Sequence, residues 1–191
     1  EEVFREALNL LNKGEPFVIA TVVGTKGSTP QKPGAKLLVR EDGSGVGTLG
    51  GGCVEGDIWF AAKELLKRKG SAEYREYELN EDLAAEDGLV CGGTMYFLID
   101  PVYQPEWYLS YAAEIDKAYQ GGPAVALATL VKAAEGSTAP VGTKLFIREG
   151  GTTEGTLGAP DADKQAVKKA RDLMVHCKNE YVRSQGDAEY F

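Results

Sequence analysis

Residues 43–57 read GSGVGTLGGGCVEGD, and the rest of the chain is organised around this stretch. Six of the ten residues before Cys53 are glycines, and the residues that follow, Ile58–Arg68, carry apolar side chains at helical spacing. Glycine permits a positive φ and a close approach of the backbone to a ligand, and the N–H groups at a helix start attract anions. The stretch therefore indicates a small-molecule site in which Cys53 is a candidate nucleophile or metal ligand.

The composition limits the classes of partner. The chain has 191 residues and a formal net charge of -8 at pH 7, whereas nucleic acids and anionic membranes are bound by dense positive charge. The sequence has no apolar run of membrane-spanning length and no basic-then-apolar start, so we expect no membrane span, no signal peptide and a cytoplasmic location. Three cysteines in this acidic chain indicate reduced thiols. The single histidine, His176, excludes a multi-histidine metal site within one chain.

Hydrophobic periodicity and turn residues predict the elements of the first half. A helix over Glu1–Lys13 ends at Gly14, and the β-branched run Phe17–Gly24 is typical of a strand covered on both faces. The further predicted elements are a Gly/Ser/Thr/Pro-rich loop (25–35), a strand (Lys36–Glu41), a turn (42–45), a helix (Cys53–Arg68), a strand (Tyr74–Leu79), an acidic loop (Asn80–Asp87), a strand (Met95–Ile99) and a helix or tether (Pro105–Tyr119).

The second half of the sequence repeats the first. Val125–Gly158 aligns with Val18–Gly50, and the matched residues named below all differ by the same residue number, which we call the repeat offset. The matches include Ala20 with Ala128, Lys36 with Lys144, Arg40 with Arg148, and GTLG at 47–50 with GTLG at 155–158. A helix over 163–177 and a strand around Tyr181 complete the second copy.

The two copies differ directly after the shared GTLG. The first continues as GGCVE (51–55) and the second as APDAD (159–163), so the second copy lacks the glycine pair and the thiol. The loop Cys91-Gly92-Gly93 has no counterpart in the second copy either. We therefore expect a functional site in the first copy and a structural partner in the second.

These patterns predict an α/β protein with an internal duplication of a strand-strand-helix-strand unit, in which helices pack on mixed sheets. We assign residues 1–103 to a first repeat with the glycine-rich and cysteine site. Residues 104–123 are assigned to a linker helix, and 124–191 to a second, degenerate repeat.

Three side chains of the first repeat have both a structural and a chemical interpretation. Cys53 is either a small buried residue at a helix start or a thiolate suited to molybdenum, copper or sulfur-transfer chemistry. Glu55 is either a first-turn carboxylate that stabilises the helix dipole or a base. Cys91 either meets Cys53 across a cleft or is simply buried.

Other polar and thiol side chains are given mainly structural interpretations. Ser28 and Thr29 are expected to hydrogen-bond within their own loop, with anchoring of a polar ligand as the alternative. Cys177 falls on the apolar side of a predicted helix and is expected in the core.

The spacing Gly45-x-Gly47-x-x-Gly50 matches the dinucleotide-binding fingerprint in form. A run with six glycines produces this match easily by chance, and no acidic residue closes a following parallel strand at the usual spacing of about 20 residues. A P-loop is excluded, because Gly-x-x-x-x-Gly-Lys-Ser/Thr does not occur.

Three motifs together resemble one family. GSTPQKPGAKLLVREDG (27–43), GTLGGGCVEGD (47–57) and CGGTMYFLIDP (91–101) are similar to the XdhC/CoxI accessory proteins of xanthine dehydrogenase and related molybdenum hydroxylases. The resemblance covers nearly the whole chain. It places the family's pattern on Gly27, Ser28, Thr29, Pro30, Gly50, Gly51, Gly52, Cys53, Glu55, Cys91, Gly92 and Gly93.

The resemblance implies a chaperone without its own catalytic turnover. Family members bind the molybdenum cofactor as cargo, shelter it while a cysteine desulfurase supplies its sulfido ligand, and deliver it to the apo-enzyme. Many continue into a Rossmann-like domain, which we expect to be absent here. A homodimer is compatible with the sequence, which nowhere requires one.

The chemistry of that cargo gives the candidate residues their roles. Molybdopterin is an anionic, phosphate-bearing pterin, so we expect the loop Gly50–Gly52 to receive phosphate or oxo groups. Cys53 would face the molybdenum or the transferred sulfur, with Glu55 and Cys91 as further candidate reactive groups. Two alternatives stay open: a thiol-dependent transferase or nucleotide-using oxidoreductase, and a scaffold that only contacts the target enzyme.

Overall fold

The computed structural model describes residues 1–79, 92–103 and 106–191, so the predicted acidic loop and Cys91 lie outside the described residues. The described residues form α1 (Glu2–Lys13), β1 (Phe17–Lys26), β2 (Lys36–Arg40), β3 (Gly45–Gly47), α2 (Gly52–Arg68), β4 (Glu73–Glu78), β5 (Thr94–Val102), α3 (Glu106–Tyr119), β6 (Val125–Lys132), β7 (Lys144–Arg148), β8 (Thr153–Gly155), α4 (Pro160–His176), β9 (Val182–Arg183) and β10 (Glu189–Tyr190).

The chain divides into two compact units. The first unit spans Gly14–Gln104, and the second combines Val3–Lys13 with Pro105–Phe191. Helix α1 is grouped with the second unit, although it lies within residues 1–103, which we assigned to the first repeat. Phe4 of α1 joins a buried cluster there with Tyr111, Ile115 and Phe146. The sequence pattern identified the apolar face of α1 but not the unit that this face would meet.

Each unit contains a five-stranded sheet with the same strand order. The order is β3-β2-β1-β5-β4 in the first unit and β8-β7-β6-β10-β9 in the second, which confirms the α/β class and the internal duplication. Every strand pair in the described residues is antiparallel, so the expectation of mixed sheets is wrong. The reason is the path of the chain: α2 leads from β3 at one edge to β4 at the opposite edge, and so does not connect neighbouring parallel strands.

The duplication extends to an irregular feature of the sheets. The register of β1 against β5 shifts after Val22, which pairs with Phe97. The register of β6 against β10 shifts at Leu130, which pairs with Tyr190. Leu130 and Val22 are related by the repeat offset, so Tyr190 is the structural counterpart of Phe97.

The two long helices also end in the same way. Lys69 caps α2 and Cys177 caps α4, both in the left-handed conformation, with φ of 52° and 49°. The N–H groups of each cap and of the next residue donate to carbonyls of the last helical turn. Cys177 is exposed, and the prediction that it lies in the core is wrong because it follows the buried face of α4 rather than belonging to it.

The cores beneath the two helices differ in size. Val54, Ile58 and Ala62 of α2 are buried against the first sheet. Their counterparts in α4, at the repeat offset, are Ala162, Ala166 and Ala170. Since each buried methylene contributes about 0.8 kcal/mol, α4 gains less from these positions than α2.

Three short strands were not predicted: β3, β8 and β10. β3 reads GVG, and glycine is depleted in strands, so local propensity gives no signal for it. β10 consists of Glu189 and Tyr190 and is defined by its pairing with β6. Pairing partners that are distant in the chain decide such short elements.

Candidate functional site

The structure brings together the three glycine-containing loops that the sequence singled out. A Cβ placed on Gly50 would lie 2.9 Å from Cβ of Pro30, so the GTLG turn packs on the loop before β2. A Cβ on Gly93 would lie 2.4 Å from the carbonyl oxygen of Ser28 and 2.6 Å from that of Lys26. The loop around residues 27–30 therefore contacts both others, and Gly93 leaves no room for a side chain.

Thr29 stabilises this central loop. Its hydroxyl donates to the carbonyl oxygen of Gln31 at 3.0 Å, as expected for a threonine in a tight loop. Gly27 approaches the third loop, since a Cβ on it would lie 3.2 Å from the carbonyl oxygen of Gly92. Ser28 is exposed in the same loop.

Glu55 is bonded to the turn that precedes its own helix. Its Oε2 accepts from Oγ1 of Thr48 at 2.6 Å, from the N–H of Leu49 at 2.6 Å and from the N–H of Gly51 at 3.1 Å. The N–H of Gly50 donates to Oγ1 of Thr48. Partial burial raises the pKa of Glu55, but the hydrogen bonds outweigh it and hold the pKa below its ordinary value.

The second unit contains the same arrangement around Asp163. Oδ2 of Asp163 accepts from Oγ1 of Thr156 at 2.7 Å, and Oδ1 accepts from the N–H of Leu157 at 2.7 Å. Asp163 occupies the position of Glu55 at the repeat offset. Because the second repeat has no thiol at the corresponding position, these contacts support a shared structural role that does not require the thiol.

Cys53 lies in the first turn of α2 and is exposed, so the interpretation as a small buried residue is wrong. Gly51 and Gly52 have φ of 75° and 67°. Among the described residues, nothing lies within 4 Å of a Cβ placed on either glycine. The N-cap residue of α2 is Gly51, which has no side chain to cap the helix, and the first amides of a helix have no partner within it. An anionic group could therefore approach the amides of Gly52 and Cys53.

One pair beside Cys53 was not predicted from the sequence. The hydroxyl of Tyr77, on β4, donates to Oδ2 of Asp57, on α2, at 2.7 Å. Asp57 follows Cys53 by four residues and so shares its face of the helix. The hydrogen bond to Asp57, partial burial, and the charges of Asp57 and Cys53 raise the pKa of Tyr77 to about 12. The four-residue spacing was visible in the sequence, but Tyr77 belongs to a different element further along the chain.

The structure argues against the dinucleotide interpretation. In the dinucleotide-binding unit the glycine loop joins a strand to a helix that leads into a parallel neighbour. Here β3 and β4, which flank α2, are edge strands on opposite sides of the sheet. The formal Gly45-x-Gly47-x-x-Gly50 match therefore lacks its required context.

Two features are absent from the described part of the chain. It contains no group of three or more His, Cys, Asp or Glu side chains placed to hold a metal ion. None of its helices combines the length and apolar character that crossing a membrane requires.

Comparisons with curated proteins give partial matches. The chain is 33% identical over 117 residues to "Uncharacterized protein YqeB" of Escherichia coli K12, covering 61% of this chain and 21% of that protein. It is 37% identical over 92 residues to "Molybdenum cofactor insertion chaperone PaoD" of the same organism, covering 48% and 28%. It is 32% identical over 97 residues to a Bacillus subtilis 168 protein named as a probable xanthine dehydrogenase subunit, covering 50% and 29%. The matches thus span less than a third of these relatives.

A solved structure and a family model also match. A crystal structure described as a xanthine dehydrogenase from Bacillus halodurans superposes with a TM-score of 0.59 at 28% identity, covering 80% of this chain and 44% of that chain. The model of the XdhC and CoxI family matches residues 10–78 and 118–184, which include parts of both repeats and more than half of the chain. The chain therefore belongs to the XdhC and CoxI family.

Proposed function

We propose that this chain binds the molybdenum cofactor as cargo and acts in the maturation of a xanthine dehydrogenase or related molybdenum hydroxylase. The observation that carries the proposal is the exposed Cys53 beside open glycine backbone, in the repeat that retains the family's glycine-thiol motif. Family membership and the similarity to a relative named as a molybdenum cofactor insertion chaperone support the same role. In this role the chain shelters and delivers the cofactor and has no turnover of its own.

The geometry suggests how the phosphate of the cargo would bind. The amides of Leu49 and Gly51 already donate to Glu55, and that of Gly50 donates to Thr48. The expected phosphate contacts therefore move to Gly52 and Cys53, whose amides open the first turn of α2. In this proposal Gly50 and Gly51 shape the site, and Glu55 holds that shape.

Cys53 would contact the molybdenum, or the sulfur that is transferred to the molybdenum, because a thiolate is a soft ligand suited to this metal. The central loop, Gly27–Pro30, and the pair Gly92–Gly93 would form the neighbouring walls. Cys91 remains a predicted second thiol of the site. A cysteine desulfurase would supply sulfur to the sheltered cofactor, and cytoplasmic conditions would keep the thiols reduced.

The test is an anaerobic titration of the reduced chain with molybdenum cofactor released from a molybdoenzyme. The wild type is compared with Cys53→Ala and with Cys177→Ala, a matched control at the other described exposed thiol. We expect the wild type and Cys177→Ala to retain the cofactor and to activate an apo molybdenum hydroxylase. Cys53→Ala is expected to lose most retention.

Three results would contradict the proposal. Absence of cofactor binding by the wild-type chain would overturn the cargo role. Unchanged retention and activation by Cys53→Ala would overturn the assignment of the thiol. Stabilisation of the protein by a nicotinamide nucleotide, with no stabilisation by the cofactor, would favour the oxidoreductase alternative.

A further inference from the structure

The side chains of Asp57 and Tyr77 form a polar pair next to the proposed cofactor site. Tyr77 packs its ring against the core of the first unit and donates its hydroxyl to Oδ2 of the exposed Asp57. One carboxylate oxygen is therefore held by the protein, while an ionised carboxylate has about four acceptor positions in total. Asp57 is thus oriented by Tyr77 and retains capacity to accept further hydrogen bonds.

This pair is specific to the repeat that carries the thiol. The counterparts of Cys53 and Asp57 at the repeat offset are Asp161 and Gln165. Tyr77 pairs with Met95 across β4 and β5. When the two sheets are matched by their registers, Ser184 occupies the position of Tyr77 in the second sheet. The carboxylate contact to the GTLG turn is duplicated, whereas the thiol and the Asp57–Tyr77 pair are not.

The Asp57–Tyr77 pair lies beside Cys53, where a ligand of the proposed site would contact it. Cys53 and Asp57 are one helical turn apart on one face of α2, and Gly56 between them has open space beside it in the described structure. An electrostatic interaction with Cys53 also contributes, after the hydrogen bond to Asp57, to the raised pKa of Tyr77. A ligand that contacts Cys53 would therefore lie within reach of the Asp57 carboxylate.

We infer that Asp57, oriented by Tyr77, is a specificity-determining residue that recognises the pterin ring of the cargo. This inference rests on the proposed function. A pterin presents two adjacent N–H donors, on its 2-amino group and ring N3, and a carboxylate accepts such a pair in bidentate fashion. A pteridine with a carbonyl at position 2 has a hydrogen-bond acceptor there instead. Its carbonyl oxygen would be repelled by the carboxylate oxygens, so it would bind more weakly.

The experiment compares two pteridines as competitors for the bound molybdenum cofactor: pterin, and lumazine, which carries the 2-oxo group. We expect the wild-type chain to favour pterin by about 10- to 100-fold, the range that a charged hydrogen-bond pair supplies. Asp57→Asn should bring the two competitors to within about 3-fold of each other. Tyr77→Phe should give an intermediate preference, because the carboxylate remains but loses its orienting partner. Asp163→Asn, in the second unit, is the control and should keep the wild-type preference.

The outcomes separate this inference from the proposed function. Failure of the wild type to retain the molybdenum cofactor refutes the proposed function. Retention of the cofactor with equal displacement by both pteridines, or displacement by neither, overturns the inference while the proposed function stands. An unchanged pterin preference in Asp57→Asn also overturns the inference. A loss of preference in Asp163→Asn overturns it too, because the loss in Asp57→Asn would then be due to general destabilisation.

Discussion

The two repeats share a scaffold but differ at the candidate site. Both have the same strand order, the same register shift at Val22 or Leu130, and a carboxylate bonded to the GTLG turn. Among the described residues, only the first repeat has an exposed thiol at its helix start and a tyrosine-aspartate pair beside that thiol. Residues and contacts that recur at the repeat offset are therefore assigned a structural role. Those found in the first repeat alone are candidates for function.

The largest expected effect concerns the contact of Gly93 with the central loop, which among the described residues only the first repeat makes. Gly93→Ala would place a Cβ 2.4 Å from the backbone oxygen of Ser28 and 2.6 Å from that of Lys26, and these cannot move without displacing the central loop and the end of β1. We expect a loss of about 2–4 kcal/mol in the free energy of unfolding. The change would be measured by urea denaturation, with Trp59 fluorescence in a Trp107→Phe background as the signal for the first unit.

The matched control is Gly186→Ala in the connection between β9 and β10. A Cβ there meets nothing within 4 Å in the described structure, so the stability should change by less than about 0.5 kcal/mol. Equal effects of the two substitutions would contradict the proposed difference between the loops.

The second prediction exchanges the residues at one matched core position. The Tyr190 hydroxyl is buried and has no hydrogen-bond partner among the described residues, whereas its counterpart Phe97 is fully buried without a polar group. Burial, followed by the charge of Glu180, raises the pKa of Tyr190 to about 12, so the phenol is neutral. Phe97→Tyr should cost about 1–3 kcal/mol, and Tyr190→Phe should be neutral or stabilising by about 1 kcal/mol.

Thermal and urea unfolding of both variants would check these signs. A clear destabilisation by Tyr190→Phe would show that the hydroxyl makes a favourable interaction. Phe97 and Tyr190 would then occupy matching positions in the two sheets but different environments.

The third prediction concerns the shared carboxylates. Glu55→Gln and Asp163→Asn should each cost about 1–2 kcal/mol at pH 7, because half-exposed charged hydrogen bonds to the GTLG turns weaken. The native pKa of Glu55 lies below its ordinary value of 4.5. Its contribution is therefore fully present above its ordinary pKa and is lost as the pH falls through the native pKa.

Urea unfolding across the acidic range up to neutral pH tests this sign. The difference between wild type and Glu55→Gln should shrink on the acid side. The shared structural role would be contradicted if the difference in the free energy of unfolding between wild type and Glu55→Gln grew at low pH. It would also be contradicted if only one of Glu55→Gln and Asp163→Asn lowered the stability.

The smallest expected effect is at the helix ends. Lys69 and Cys177 adopt a left-handed conformation that glycine accepts without strain. Lys69→Gly and Cys177→Gly should each stabilise the protein by about 0.5–1 kcal/mol. Differential scanning calorimetry would detect the rise in Tm, and a decrease at one end only would show that the two caps are not equivalent.

Much of the candidate site could be predicted because its signals are local. The glycines and Cys53 are adjacent in the sequence, and the contacts of Gly27–Pro30 with Gly50 and Gly93 join loops that each carried a glycine signal. The role of Glu55 was ambiguous because its hydrogen-bond partners depend on the path of the turn before α2. Tyr77 was missed because a single tyrosine in an alternating strand carries no signal until its partner is known.

The sequence by itself determined the α/β class, the internal duplication, and the repeat that keeps the thiol, because periodicity and matched motifs are properties of the chain read in order. Tertiary structure decided the antiparallel pairing, the grouping of α1 with the second unit, the exposure of Cys177, and the Asp57–Tyr77 contact. Each of these depends on which distant segments meet and on which surfaces they cover. That choice is made by the burial of whole faces, which no local pattern encodes.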